Sequence, residues 1–298
     1  MRMHADELPI DAALVRRLLA AQFPEWVDLP LERVRFFGTD NAIYRLGDEL
    51  AARLPRREKN VVGLEKELRW LPELAPRLPL AVPVPLAIGR PGDGYPLKWA
   101  VYSWLEGEPV TEEPIADLAQ AAADLAGFVR ALQEIDAPGG PPPGEHNSFR
   151  GGPLVRRDEA ARAAIESLRS ELDAAAVTAV WEEALAAPEW EREPIWIHGD
   201  LDARNLLVVD GRISAVIDFG TIGIGDPACD VMVAWKMLDG ESRALFRRML
   251  AVDDPTWARA RGWAVSQAVI ALAYYTMDTN PVLVLEAQRW LAEVFADQ

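Results

Sequence analysis

Three polar side chains within one short stretch have the types and spacing for phosphoryl transfer. Asp200 follows the apolar run Ile195–Ile197, Asn205 comes five positions later, and Asp218 closes a second β-like run, Ile213–Ile217. One carboxylate can orient an attacking hydroxyl. The amide and the second carboxylate can offer oxygen ligands to magnesium beside a triphosphate. The two runs read together as one hairpin-like unit. Each residue also has a plainer reading, Asp200 and Asn205 as turn formers and Asp218 as a strand-end cap, but those readings serve the set poorly. His198, with Asp200 and Asp202, leaves a metal-dependent hydrolase open. The chain has few imidazoles for such a site, since its other histidines are His4 and His146.

The elements that must hold these groups change character along the chain. Asp11–Ala21 has apolar residues at helical spacing and predicts an opening helix. Three short strands follow, Leu31–Phe37, Ala42–Leu46 and Glu49–Leu54, the last two joined at the turn pair Gly47-Asp48. Val61–Leu74 reads as an amphipathic helix. Leu86–Gly89 and Lys98–Trp104 add two strands, and Leu105 to Pro109 breaks the pattern as a hinge. Beyond the hinge the sequence is mostly helical. Helices are expected at Pro114–Glu134, Asp158–Leu172, Ala175–Ala187, Cys229–Leu238, Glu241–Leu250, Thr256–Tyr275 and Val282–Ala296. Ala137–Gly144 is a proline- and glycine-rich loop that no helix could cross.

The 298 residues carry a formal net charge of −16 without a basic stripe, which argues against nucleic acid and anionic membranes as partners. The same charge would attract a cationic small molecule, or simply keep the protein soluble. Cys229 is the one cysteine, so no intrachain disulfide can form. The first residues lack the apolar core of a signal peptide, and the longest apolar stretch, Ala264–Tyr275, is too short to span a bilayer. A cytoplasmic monomer or homodimer is expected.

His198-Gly199-Asp200, Asn205 and Asp218-Phe219-Gly220, in that order, resemble the aminoglycoside phosphotransferase family, which shares the protein-kinase fold. The resemblance covers most of the chain. It implies an α+β, bilobal, protein-kinase-like fold: a small antiparallel β-sheet lobe with one helix over residues 1–106, and a larger, mainly α-helical lobe over 107–298. It implies transfer of the γ-phosphoryl group of ATP or GTP, with Mg2+, to a small-molecule hydroxyl. Asp200 would orient the nucleophile, and Asn205 and Asp218 would hold the metal. Arg53 stands where many relatives have lysine to grip the nucleotide phosphates, and Glu67 matches its partner. Thr39, in the loop Gly38 to Asn41, would lie over the phosphates. Tyr102 would stand behind the base, with the backbones of Ser103 and Leu105 bonding it.

The resemblance further implies that His198 braces the catalytic loop. Asp230, in Asp226-Pro-Ala-Cys-Asp230, would cap a helix and support that loop. Asp202 and Arg204 depart from the commonest pattern and are expected to face outward near substrate or phosphates. Further acceptor candidates are the loop His146–Gly152, Trp263, Gln267, Tyr274, Tyr275 and Asp278. An aminoglycoside comes first as acceptor and a macrolide next. A metabolite such as choline, homoserine or a sugar stays open, as does a catalytically silent nucleotide-binding regulator. The short path from Gly220 to Asp226 tilts the reading away from protein kinases.

Overall fold

A computed structural model describes residues 7–34 and 40–297. Helix α1 (Ala12–Gln22) leads into strands β1 (Leu31–Arg33), β2 (Asn41–Leu46) and β3 (Leu50–Pro55). Helix α2 (Val61–Leu74) precedes β4 (Pro85–Gly89) and β5 (Trp99–Ser103). These strands form one antiparallel sheet in the order β1-β2-β3-β5-β4. The expected first strand is shorter than its apolar run, and the run's last residues, with Gly38 and Thr39, lie outside the described residues.

Side-chain alternation gives this sheet two different faces. Ala42, Tyr44, Leu46, Ala52, Leu54, Trp99 and Val101 pack with Leu14, Val15, Leu18 and Leu19 of α1. The opposite parity places Ala100 and Tyr102 in the main core with Leu64, Leu71 and Leu74 of α2. Arg53 lies between Ala52 and Leu54, so it too projects away from α1 and towards α2. The sheet thus presents a charged group to the interior on the one face where a helix can supply its counter-ion.

The remainder is mainly helical: α3 (Leu118–Gln133), α4 (Asp158–Ser167), α5 (Ala174–Ala186), α6 (Ala228–Val231), α7 (Val233–Met237), α8 (Gly240–Leu250), α9 (Asp254–Tyr274) and α10 (Pro281–Ala296). Asp11, Asp117, Asp173, Asp239, Asp253 and Asn280 each accept a backbone N–H at a helix start. Such a cap contributes about 1 kcal/mol, so part of the acidic excess is spent on local structure. Asp117 also explains why α3 begins at Leu118 and not at the expected Pro114.

The central unit departs from the hairpin-like reading. β7 (Ile195–Ile197) does not pair with the second apolar run. It pairs antiparallel with β10 (Gly223–Gly225), while β8 (Leu206–Val209) and β9 (Arg212–Val216) form the hairpin, extended by β6 (Glu108–Pro109). Asp200 and Asn205 therefore sit on the connection between two small sheets, and Asp218 leaves the second. No helix among the described residues is long and apolar enough to cross a membrane.

Candidate active site

Asp200, Asn205 and Asp218 line one cleft of about 1650 Å³, together with Arg53, Tyr102, Ser103 and Leu105. On its sheet side, Arg53 Nη1 lies 2.7 Å from both carboxylate oxygens of Glu67, and Nη2 lies 2.9 Å from Asp218 Oδ1. The Tyr102 hydroxyl donates to Glu67 Oε2 at 2.9 Å. Asn41 sits 2.9 Å from Arg53 Nη2, where only its amide oxygen can accept. Burial works against the Arg53 charge, but Glu67 and Asp218 outweigh it and raise the guanidinium's pKa further. Burial raises the Glu67 carboxyl, against the pull of Arg53. The buried Tyr102 phenol is pushed up by burial and then by Glu67.

The loop that carries Asp200 is held from below. Asp230 accepts the backbone N–H groups of His198 and Gly199, both at 2.7 Å. His198 Nε2 lies 3.0 Å from the Ile217 carbonyl, which can only accept, so this nitrogen carries the proton. The backbone N–H of Asp200 donates to His198 Nδ1 at 3.2 Å. Both ring nitrogens are thereby engaged in structure, and the ring packs edge-on against Phe219 at 4.5 Å. A metal-ligand or proton-transfer role for His198 has no free nitrogen to use.

Asn205 Nδ2 donates to the Asp200 carbonyl at 2.9 Å, which leaves its Oδ1 as the atom able to bind a cation. Asp218 takes a left-handed backbone, φ 62°, and its side chain is 42% exposed while still touching Arg53. Only oxygen donors are offered here, an amide and a carboxylate, and that set suits magnesium. Gly63 of α2 approaches the turn after Asp218 so closely that an added Cβ would lie 3.3 Å from Gly220 Cα.

At the hinge, the Ser103 backbone N–H donates to the Val84 carbonyl at 2.9 Å, and Trp104 N–H to Glu49 at 2.7 Å. Ser103 can therefore offer a base its carbonyl but not its N–H. Leu105 makes no backbone hydrogen bond with the described residues, and it lines the cleft.

The family model described as phosphotransferase enzyme family matches residues 33–263. The chain belongs to this family. An aminoglycoside 3'-phosphotransferase of Escherichia coli is 35% identical over 72 residues, 24% of this chain. That match spans only 27% of the curated relative's length. The GDP complex of wild-type aminoglycoside 2'-phosphotransferase-IIIa superimposes with a TM-score of 0.73 at 19% identity, covering 97% of this chain and 100% of the other. A macrolide 2'-phosphotransferase of Brachybacterium faecium, in its apo form, gives 0.61 at 24% identity, with coverage of 94% and 98%. The phosphotransferase likeness makes the α+β fold protein-kinase-like.

Two expectations need correction. Asp202 does not face outward but is fully buried. Arg204 donates to its Oδ1 through the backbone and Nε at 2.9 and 3.2 Å, and to Oδ2 through Nη2; Lys236 Nζ lies 3.3 Å from Oδ2. Burial would raise the Asp202 carboxyl, but Lys236 and Arg204 overcome it and hold it well below the usual carboxylate range. Asp202 is thus an internal anchor, and it is Arg204 that lines the cleft. Asp230 braces the loop, but the helix-start N–H of Ala228 goes to Asp226, which is also clamped by Arg259 at 2.7 and 3.1 Å.

Among the acceptor candidates, Trp263 is core, whereas Tyr274 is exposed. Thr39 lies outside the described residues. Sequence reasoning missed Arg150 individually, although the loop containing it was singled out. It also missed Lys66, whose Nζ contacts His146 Nδ1 at 3.2 Å and the Ile222 carbonyl at 3.3 Å. Neither arginine nor lysine stands out by type in such surroundings; only the tertiary fold shows what they reach.

Proposed function

We propose that this chain is a small-molecule kinase that moves the γ-phosphoryl group of a nucleoside triphosphate to an alcohol. The observation that carries the reading is the meeting of Arg53, Glu67 and Asp218 in the same cleft as Asp200 and Asn205. Arg53 would grip the phosphates, and Glu67 fixes its fork. Asn205 Oδ1 and the Asp218 carboxylate would hold Mg2+, which neutralises charge on the triphosphate. Asp200 accepts the hydrogen bond of the acceptor hydroxyl and takes its proton. The acceptor oxygen forms the new bond to phosphorus as the bond to the β-phosphate oxygen breaks, and the nucleoside diphosphate leaves.

Residues 1–106 act in this reading as the nucleotide lobe and 107–298 as the catalytic and acceptor lobe. The base would sit against the Ser103 carbonyl and the Leu105 N–H. ATP is the first donor to test. Tyr102, fixed by Glu67 at the back of the pocket, narrows the space there and gives reason to test GTP beside it.

Family likeness puts an aminoglycoside first as acceptor. One observation favours the second reading, a macrolide or other weakly charged acceptor. Asp202 is neutralised internally, while the apolar Val282 and Leu283 line the cleft. The test is nucleotide consumption with aminoglycosides, macrolides and hydroxylated metabolites, with Asp200→Ala as control. Acceptor-dependent turnover that Asp200→Ala reduces by about 100-fold or more is expected. Nucleotide binding without turnover on any acceptor would favour the silent regulator instead.

A further inference from the structure

A positive group reaches the proposed nucleophile-orienting carboxylate from an element outside the loop that carries it. Arg150 Nη2 lies 3.3 Å from Asp200 Oδ1, and the two side chains are 13% and 27% exposed. The other oxygen, Oδ2, has Asn205 Nδ2 at 3.4 Å, the limit of a hydrogen bond. Both oxygens thus carry a long contact, Oδ1 to a guanidinium and Oδ2 to an amide, and only the first brings a positive charge.

The segment that delivers Arg150 is built for it. Ser148 and Phe149 both take left-handed backbones, φ 52° and 57°, immediately before it, and Gly151 follows at φ 77°. Two consecutive non-glycine residues in that region persist only where surroundings dictate the conformation. The dictating contacts are present. Asn147, itself buried, donates to the Arg150 carbonyl at 3.3 Å and accepts the Gly144 N–H at 3.0 Å. Asp226 N–H donates to the Gly151 carbonyl at 2.8 Å. Gly199 has no side chain where an added Cβ would stand 3.3 Å from Arg150 Cβ, so the loop can lie directly on the residue preceding Asp200.

Arg150 also shares the Trp263 indole with a like charge. Its guanidinium is 5.7 Å from the ring centroid, and that of Arg157 is 4.8 Å. Burial and then Arg150 depress Arg157 to about 9. Packing alone gives no reason to hold two guanidinium groups at one indole. Nearby carboxylates do: Asp200 in direct contact, and the buried Asp230, which also feels the Arg150 charge.

We propose that Arg150 is a positioning residue for phosphoryl transfer: it fixes Asp200 through Oδ1 so that Oδ2 faces the acceptor hydroxyl. This rests on the kinase reading above. Losing the contact leaves Asp200 free to rotate. A misplacement of about 1 Å at a reacting group can cut a rate by roughly 100-fold without altering what binds.

The test uses the full chain with Mg-ATP or Mg-GTP, and water or the acceptor found in the screen above as nucleophile. Arg150→Met preserves length and apolar packing, Arg150→Lys preserves charge, and Asp200→Ala is the control. Arg150→Met should lower kcat by about 10- to 100-fold while KM and nucleotide affinity stay within about twofold, and Arg150→Lys should recover much of the loss. Arg150→Ala should regain rate when millimolar guanidinium is added.

Wild-type kcat in Arg150→Met, with Asp200→Ala inactive, overturns the assignment alone. Equal losses of kcat and nucleotide affinity in Arg150→Met, not relieved by Arg150→Lys, also overturn it, because they mark a structural role. A rate indifferent to both Arg150→Met and Asp200→Ala overturns the kinase reading and the assignment with it.

Discussion

Arg53 is the residue in which the sheet, helix α2 and the Asp218 turn meet. Its position was legible through the family resemblance: Arg53 stands on β3 where many relatives have lysine, and Glu67 precedes Leu71 and Leu74 on α2 at the family's spacing. Asp202 was not legible in the same way. Its neutralising partner, Lys236, lies on another helix 34 positions away, and nothing in the intervening sequence marks the pairing. At this scale the prediction concerns an abandoned charge. Arg53→Met leaves Glu67 buried without its counter-ion, and breaking such a pair from one side costs about 3–5 kcal/mol. Urea denaturation should show a loss of that order, and titration calorimetry weaker Mg-nucleotide binding. A stability change below about 0.5 kcal/mol, as for an ordinary surface substitution, would contradict the buried-pair account.

At the scale of elements, the loop between β7 and β8 depends on a helix that follows it in sequence. Asp230 of α6 satisfies two buried N–H groups at the start of the loop that carries Asp200. Asp230→Ala orphans both. At about 1–3 kcal/mol for each unsatisfied group, a loss of several kcal/mol is expected in chemical denaturation. Turnover in the surviving folded fraction should fall as well, because Gly199 and Asp200 lose their support. An unchanged midpoint would show that water or another acceptor takes over.

The helices were readable because apolar spacing is sequence-local, while ends set by a cap, such as Asp117 before α3, were not. The sheet partners of β7 and β8 were not. β10 is Gly-Ile-Gly and β6 is Glu-Pro, too short and too poor in β-forming residues to announce themselves. The apparent hairpin over Ile195–Ile217 arose because sequence adjacency stood in for pairing.

Across the whole molecule, α2 also joins the two halves of the cleft through Lys66, whose partners His146 and Ile222 come from beyond the hinge. Burial lowers the Lys66 ammonium to about 8, against the opposing pull of Glu67 and Asp218. The unfolded chain would release that proton only near 10.5. Between these values the unfolded state binds more protons, so this group's penalty is full below the lower value and fades as pH rises. The unfolding free energy of the wild type, relative to Lys66→Met, should therefore climb between about pH 8 and pH 10. Parallel curves for the two proteins would refute this linkage.

One turn before Lys66, Gly63 meets Gly220 backbone to backbone. Contact of this kind has no side chain to rearrange, so the gap it sets is stiff. Helix α2 and the Asp218–Gly220 turn consequently keep a fixed separation, which holds Glu67 of the helix and Asp218 of the turn on either side of Arg53.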